Sequence, residues 1–598
     1  MTFPVSIPRL LVPNDLARSP TAFRRVLVIG SCLAEGIPPT LERMWPTCQC
    51  DYVLFNNAMD LPSAPPRPIT AYDFQLLQLP IRSLLPESVV MRLSFADTQS
   101  YQMAFDLASE KLVQMLEAGL RYAAGATPAF VTNFMVPQGT ALGRLLPKAD
   151  LRNPSHFVAK LNEVLTAHVT ALPDVYLLDI DALSSALGRV HLQDDLVWSV
   201  THGGVLTDWD YQRDLDRLSA PTPLTAQLDI RSGQFLEVMG YEIEAMYRTL
   251  RHVDAVKLVI VDLDDTLWRG VLAEQDALTP DVREGWPLGM AEALTVLKRR
   301  GILLAIVSKN DLDRISAMWD DIFLGVLRLE DFAAVQINWG SKPDNVRQVI
   351  ADVNLLPSSV VYIDDNAAER AAVQRALPEV RVLGANIYEV RRILLWSAET
   401  QVSTLTEESL NRTEMVKSQA QRDAVRAKLP REAFLRELNV QVTVSVIRAV
   451  EDPQVARVLE LINKTNQFNS TGERWSAQDL AHFLTEGGLV HAFRVTDTFT
   501  QYGLTAVALT RKKVVEQFVM SCRVMGLEAE RSMLRYLSGK REEPLTIRFR
   551  ETARNRPIRE VFDALGAVVS DGSVILEVGA WATGPAVPQV TSFTAGRR

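Results

Sequence analysis

One eleven-residue stretch limits what this chain can fold into more than any other: Leu258-Val-Ile-Val-Asp262-Leu-Asp264-Asp265-Thr266-Leu-Trp268. An unbroken apolar run this short reads as a strand buried on both faces of a parallel sheet. It delivers Asp262 and Asp264 onto the loop at its C-terminal end, which is where open α/β sheets bind ligands. Two carboxylates this close repel each other unless a cation or proton lies between them. A hard divalent cation with oxygen ligands meets that need, and magnesium is the usual one beside phosphates.

Further strand ends follow in order. Ile302–Val307 runs into Ser308-Lys309-Asn310. Lys342 stands in Trp339-Gly-Ser-Lys342-Pro-Asp, and Val360–Ile363 ends at Asp364-Asp365-Asn366, with Glu369 and Arg370 one helical turn later. A helical stretch around Met290–Arg300 closes at Gly301, as a helix C-terminus would. This alternation predicts a parallel α/β sheet over about 253–395.

Composition is that of a soluble globular protein, 47% hydrophobic and 23% charged over 598 residues. A net charge of −9 argues against nucleic acid as a partner. The N-terminus has no charged start followed by an apolar stretch, and no run of about 18 apolar residues occurs, so neither a signal peptide nor a membrane span is expected. Cys32, Cys48, Cys50 and Cys522 do not form a disulfide framework, which suits a reducing cytoplasm. Cys48 and Cys50 lack the second pair that a zinc site needs.

The expected fold class is α/β with three domains. Residues 1–245 read as strand–helix alternation, with strands at Val26–Ile29, Ala129–Thr132 and Val175–Asp179. Residues 253–395 form the central domain. The charged stretch 400–436 reads as a helical connector. Residues 437–584 open with the alternating Val440-Gln-Val-Thr-Val444, and 585–598 read as a disordered tail.

The set Asp262/Asp264/Thr266, Ser308, Lys342 and Asp364/Asp365 resembles, in order and spacing, the four motifs of the haloacid dehalogenase (HAD) superfamily. The resemblance implies that Asp262 attacks phosphorus, that Asp264 protonates the leaving group and then activates water, and that Ser308 and Lys342 bind phosphoryl oxygens. Asp262, the Asp264 carbonyl and Asp365 would hold Mg²⁺, with Asp364 nearby. Thr266, Lys309 and Asn310 would lie against phosphate or substrate.

Trp268, Ser308-Lys-Asn-Asp311, Leu329-Glu-Asp-Phe332, Ile337-Asn-Trp339 and Ile363-Asp-Asp-Asn-Ala-Ala-Glu-Arg370 resemble FkbH-like proteins more closely. Asn463-Lys-Thr-Asn466-Gln-Phe-Asn469 and Met520-Ser-Cys522-Arg523-Val-Met-Gly526 resemble that family's GNAT-related acyltransferase-like domain. The first region is similar to the SGNH-hydrolase-like domain of its longer members. Such proteins form a glyceryl thioester on an acyl carrier protein from 1,3-bisphosphoglycerate and remove phosphate. The resemblance therefore implies two partners: a phosphorylated three-carbon molecule and a carrier's phosphopantetheine arm. Cys522 could then be an intermediate acyl acceptor, with Arg523 able to lower its pKa, and Asn466, in an amide cluster with Asn463, Gln467 and Asn469, could orient the hydroxyacyl group or the pantetheine amides. Cys522 packed as a small hydrophobe, and the Asn463–Asn469 amides serving only in caps and turns, are the plainer readings.

Arg523-Val-Met-Gly-Leu-Glu528 resembles the GNAT pyrophosphate loop in part, but Glu528 opposes an anion there. In the first region Ser31, Asn133 and His202 match SGNH nucleophile, oxyanion and base positions. Ser199 stands where the family places the orienting Asp, which leaves the base without its orienting acid. A plain small-molecule phosphatase and a non-catalytic carrier-docking scaffold are the competing readings of the whole chain.

Overall fold

The computed structural model describes residues 9, 11–20, 23–57, 61–90, 92–123, 127–138, 143–145, 147–192, 208–219, 221–272, 279–405, 407–418, 430–498, 501–512, 514–539, 544–552, 554–570, 572–577 and 590–592. The chain falls into two compact units where the sequence suggests three domains: Met1–Asn14 with Ser19–Arg248, and Asp15–Arg18 with Thr249–Arg598. No helix among the described residues is long and apolar enough to cross a membrane.

The first unit holds a parallel sheet of β1 (Arg25–Gly30), β2 (Gln49–Leu54), β3 (Phe74–Leu77), β4 (Ala129–Thr132) and β5 (Val175–Leu178), in the order β2-β1-β3-β4-β5. Val26 to Ile29 are fully buried, as a strand with helices on both faces requires. The strand order reverses between β1 and β3, which opens a crevice at their C-terminal ends, beside Ser31 and Gln78.

The second unit carries two sheets. Its first is wholly parallel: β6 (Leu258–Val261), β7 (Leu303–Ser308), β8 (Ala334–Ile337), β9 (Val360–Ile363) and β10 (Arg381–Leu383), in the order β10-β9-β6-β7-β8. Every residue of β6, β7 and β9 is buried. After β8 the chain crosses back to the other side of β6, so the switch point lies between β6 and β9, at Asp262. Helices enter from capped loops. Asp311 accepts from the Arg314 N–H at the start of Leu312–Phe323, and Asn366 from the Ala368 and Glu369 N–H groups at the start of Ala367–Ala376. The core beneath is aromatic: Trp319 lies 6.1 Å from Trp268, 4.8 Å from Phe323 and 5.6 Å from Phe332 between ring centres.

The second sheet is mixed and eight-stranded: β11 (Gln441–Ile447), β12 (Leu489–Thr496), β13 (Gln501–Arg511), β14 (Val514–Met520), β15 (Leu545–Arg548), β16 (Val568–Ser570), β17 (Ser573–Leu576) and β18 (Val590–Ser592), in the order β16-β17-β15-β14-β13-β12-β11-β18. The tail expected to be disordered from about residue 585 instead supplies β18, which pairs with Val442–Val444 of β11. An edge strand of Val, Thr and Ser gains partners for its backbone polar groups by this pairing.

The expected connector is helical at Glu407–Leu410 and Arg431–Leu438, with residues 419–429 outside the described ones. It ties the two sheets of this unit together. Arg412 donates to the Gly301 carbonyl at 2.8 Å, and the buried Met415 receives Arg523.

Strands β14 and β15 pair only at Val514/Thr546 and Val515/Ile547 and then part. The gap is filled by Phe468–Ser470. Ser470 N–H donates to the Phe518 carbonyl and Met520 N–H to the Phe468 carbonyl, each at 2.9 Å, while Arg550 N–H reaches the Ser470 carbonyl from the far side at 2.9 Å.

Candidate active site

Asp262 follows β6 directly, and its N–H donates to the Ile363 carbonyl of β9 at 2.9 Å, so the sheet ladder itself fixes the residue. Its carboxylate is buried at 5% exposure, with Oδ2 at 3.0 Å from Lys342 Nζ and Oδ1 without a hydrogen-bond partner. Burial pushes this carboxyl up to about 6; the Lys342 charge pulls it down and Asp364 pushes it further up.

Lys342 opens the helix Lys342–Asp352 and is also buried. Its ammonium lies 2.6 Å from Asp364 Oδ2. Burial alone would lower its pKa, but Asp262 and Asp364 outweigh that and hold it above the usual range. Asp364 receives Tyr362 Oη on the same Oδ2, and Oδ1 takes the Asn366 N–H at 2.8 Å. Burial, followed by the charge of Asp364, drives the Tyr362 phenol far above its usual pKa, so it stays a donor. A Cβ on Gly384 would come within 2.1 Å of the Asp364 carbonyl oxygen, and Gly384 also has φ +111°, so only glycine fits this approach.

Asp262, Asp364 and Asp365 bring one carboxylate oxygen each within 4.8 Å of one another. The oxygens of Asp364 already accept protein donors. Asp262 Oδ1 has no such donor, and the exposed Asp365 takes Thr266 Oγ1 on Oδ1 at 3.2 Å, which leaves lone pairs on its carboxylate for a cation. A buried carboxylate oxygen without a donor is costly unless a cation meets it. The residues present fit a divalent cation on Asp262 Oδ1 and Asp365.

Asp264 sits otherwise than Asp262. Leu267 N–H closes a helical turn on the Leu263 carbonyl at 2.7 Å and brings Trp268 back over the loop. Trp268 Nε1 then donates to Asp264 Oδ1 at 2.9 Å, Leu272 N–H to the same atom at 3.2 Å, and Asn310 Nδ2 to Oδ2 at 3.0 Å. Burial raises this carboxyl, and the Trp268 and Leu272 donors counter it.

Asn310, expected against phosphate, thus spends its amide on Asp264, while its Oδ1 accepts the Asp311 N–H at 3.0 Å. Ser308 is buried at the end of β7. Lys309 forms a 2.6 Å ion pair with Glu369. Lys309 follows β7 and Glu369 lies on the helix after β9, so the pair joins the two segments that flank the end of β6, about 10 Å apart at the strands.

The flanking candidates that are described hydrogen-bond to neighbouring protein groups. Ser31 Oγ donates to Gln78 Oε1 at 2.8 Å, and Asn133 Nδ2 donates to Asp179 Oδ1 at 2.7 Å; each is engaged with a residue other than a histidine. His202 and Ser199 lie outside the described residues. In the third region Asn463 exchanges hydrogen bonds with the Trp475 backbone at 2.7 and 2.9 Å, and the buried Asn469 accepts from Thr471, Gly472 and Gln517. Asn466 Oδ1 accepts Arg474. Arg523 Nε donates to Ser521 Oγ at 3.0 Å. The Cys522 side chain lies outside what is described. Glu528, at φ 60°, puts its buried carboxylate at the start of the helix Ala529–Ser538, 3.5 Å from Arg531.

No family model and no curated protein matches the sequence. Solved structures similar to it include the N-terminal part of BF1531 from Bacteroides fragilis, containing a phosphatase domain complexed with Mg, at 18% identity and TM-score 0.42 over 62% of this chain and 94% of that one. Another is 3-deoxy-D-manno-octulosonate 8-phosphate phosphatase from Moraxella catarrhalis, at 16% identity and TM-score 0.18 over 31% and 97%. A third is a HAD-superfamily hydrolase from Geobacter sulfurreducens, at 16% identity and TM-score 0.16 over 23% and 100%. These likenesses are weak, and the chemistry of the site rests on its own geometry.

Proposed function

We propose that this protein is a Mg²⁺-dependent phosphoryl-transfer enzyme of the HAD type, working through an aspartyl-phosphate at Asp262. The observation that carries the reading is the buried Asp262 carboxylate at the sheet's switch point, gripped by Lys342 on one oxygen and unpartnered on the other. An Asp262 oxygen attacks phosphorus as the bond to the leaving oxygen breaks, and Asp264 gives that oxygen a proton. Water then attacks the aspartyl-phosphate, with its proton passing to Asp264. Lys342 and Ser308 stand beside the transferring oxygens. Asp262, Asp365 and the Asp264 carbonyl would hold Mg²⁺, which would supply charge neutralisation for the phosphoryl group.

The finer reading is glyceryl transfer from 1,3-bisphosphoglycerate to the phosphopantetheine thiol of an acyl carrier protein, with loss of phosphate. It is supported by the FkbH-like motifs and by the packing of the mixed sheet with the parallel sheet in one unit. Lys309 favours a substrate with a second anionic group, because that group can take the place of Glu369. The filled gap beside β14 weighs against a pantetheine arm lying along that strand.

The test is to incubate the protein with 1,3-bisphosphoglycerate, Mg²⁺ and a holo carrier protein, then measure phosphate and weigh the carrier. A gain of one glyceryl unit with phosphate release supports the finer reading. Phosphate release alone leaves a small-molecule phosphatase. No phosphate release from this or simple phosphate esters overturns the phosphoryl-transfer reading.

A further inference from the structure

The carboxylate of Asp264 has about four lone-pair sites, two on each oxygen. Trp268 Nε1 and the Leu272 N–H fill those of Oδ1, and Asn310 Nδ2 takes one on Oδ2. One site on Oδ2 is left. Both side-chain donors are packed in place. Trp268 is fully buried, with its ring against Trp319 at 6.1 Å and Phe323 at 6.2 Å. Asn310 is buried too, and the Asp311 N–H on its Oδ1 fixes which way the amide faces.

We propose that Trp268 and Asn310 are positioning residues that lock Asp264 in one orientation, so that Oδ2 alone exchanges protons with the leaving group and water. This rests on the phosphoryl-transfer reading above. A carboxylate on a freely turning side chain would have to find the leaving oxygen at each turnover. Here the search is removed in advance, by a tryptophan four residues along the same loop and an amide from the neighbouring strand end.

Trp268→Phe keeps an aromatic ring in the core and removes only the indole donor. The test compares single-turnover release of the leaving group from an alkyl phosphate, whose alkoxide needs a proton, with release from p-nitrophenyl phosphate, whose phenolate does not. Release of the alcohol should slow by about tenfold or more, and release of nitrophenolate by less than about threefold, with KM unchanged for both. Asn310→Ala should show the same split. Equal loss on both esters, or none on either, overturns the proposal.

A second measurement needs no turnover. The indole N–H resonance of Trp268, identified by its absence in Trp268→Phe, should move on Asp264→Asn. An unmoved resonance overturns the lock. If the wild-type protein releases phosphate from neither ester nor from 1,3-bisphosphoglycerate, the phosphoryl-transfer reading falls, and the resonance still decides whether the lock exists.

Discussion

Removing the ammonium of Lys342 exposes what holds the site together. Its Nζ is 3.0 Å from Asp262 Oδ2 and 2.6 Å from Asp364 Oδ2, and all three side chains are buried. At such distances the attractions are worth about 5.5 and 6.4 kcal/mol with an effective dielectric near 20, much of it offset by desolvation. Lys342→Met leaves two carboxylates facing each other, and deleting one partner of a buried charged pair costs about 3–5 kcal/mol.

That loss depends on pH with a definite sign. Asp262 is already raised, to about 6, with Lys342 present, and goes higher without it. A carboxyl raised above its unfolded value makes the folded state take up the proton first. The variant therefore regains stability as pH falls from 8 toward 5, by about 1.4 kcal/mol for each unit over which one carboxyl titrates. Mg²⁺ should restore part of the loss at pH 8. The assay is urea unfolding, with hydrogen exchange at the Asp262 and Asp364 amides to read this sheet directly. A variant as stable as the wild type at pH 8 without Mg²⁺, or a loss independent of pH, refutes the reasoning.

Asp262→Asn should abolish phosphate release, since the amide is a poor nucleophile, while the fold persists by circular dichroism. Lys309→Met should raise KM about threefold to fivefold for phosphate esters bearing a second anionic group and leave singly anionic esters unchanged, as steady-state kinetics will show. His491, held down to about 4 by burial and by Arg448, stays neutral in the fold, whereas the unfolded chain protonates near 6.5. Stability from this residue is lost as pH falls from about 6.5 to 4, so His491→Gln should flatten the urea-midpoint profile across that window.

The parallel sheet was open to sequence reading because β6, β7 and β9 are buried on both faces and therefore apolar without interruption. The acidic residues at their ends stand out against such runs. The donors that aim those acids were hidden inside the same signals. Tyr362 counts as one more large residue of a buried strand, although two-residue periodicity places its side chain on the same face as Asp364. Trp268 passes for core, yet at four residues from Asp264 it can return across one helical turn. Asn310 looks like a phosphate ligand until the Asp264 carboxylate is seen to occupy it. The strand β18 and the wedge Phe468–Ser470 depend on partners far away in sequence, which local composition does not encode.

Gly384 lies in an ordinary-looking turn after β10, more than a hundred residues from Asp262. The 2.1 Å that a Cβ there would leave to the Asp364 carbonyl makes it part of the charge balance at the site all the same. A saturation scan of the protein should find this turn nearly as intolerant as the acidic loops. Alanine there would push Asp364 off Lys342 and leave that buried ammonium with Asp262 as its one remaining carboxylate of the pair, unsettling the charge balance without touching Asp262 itself.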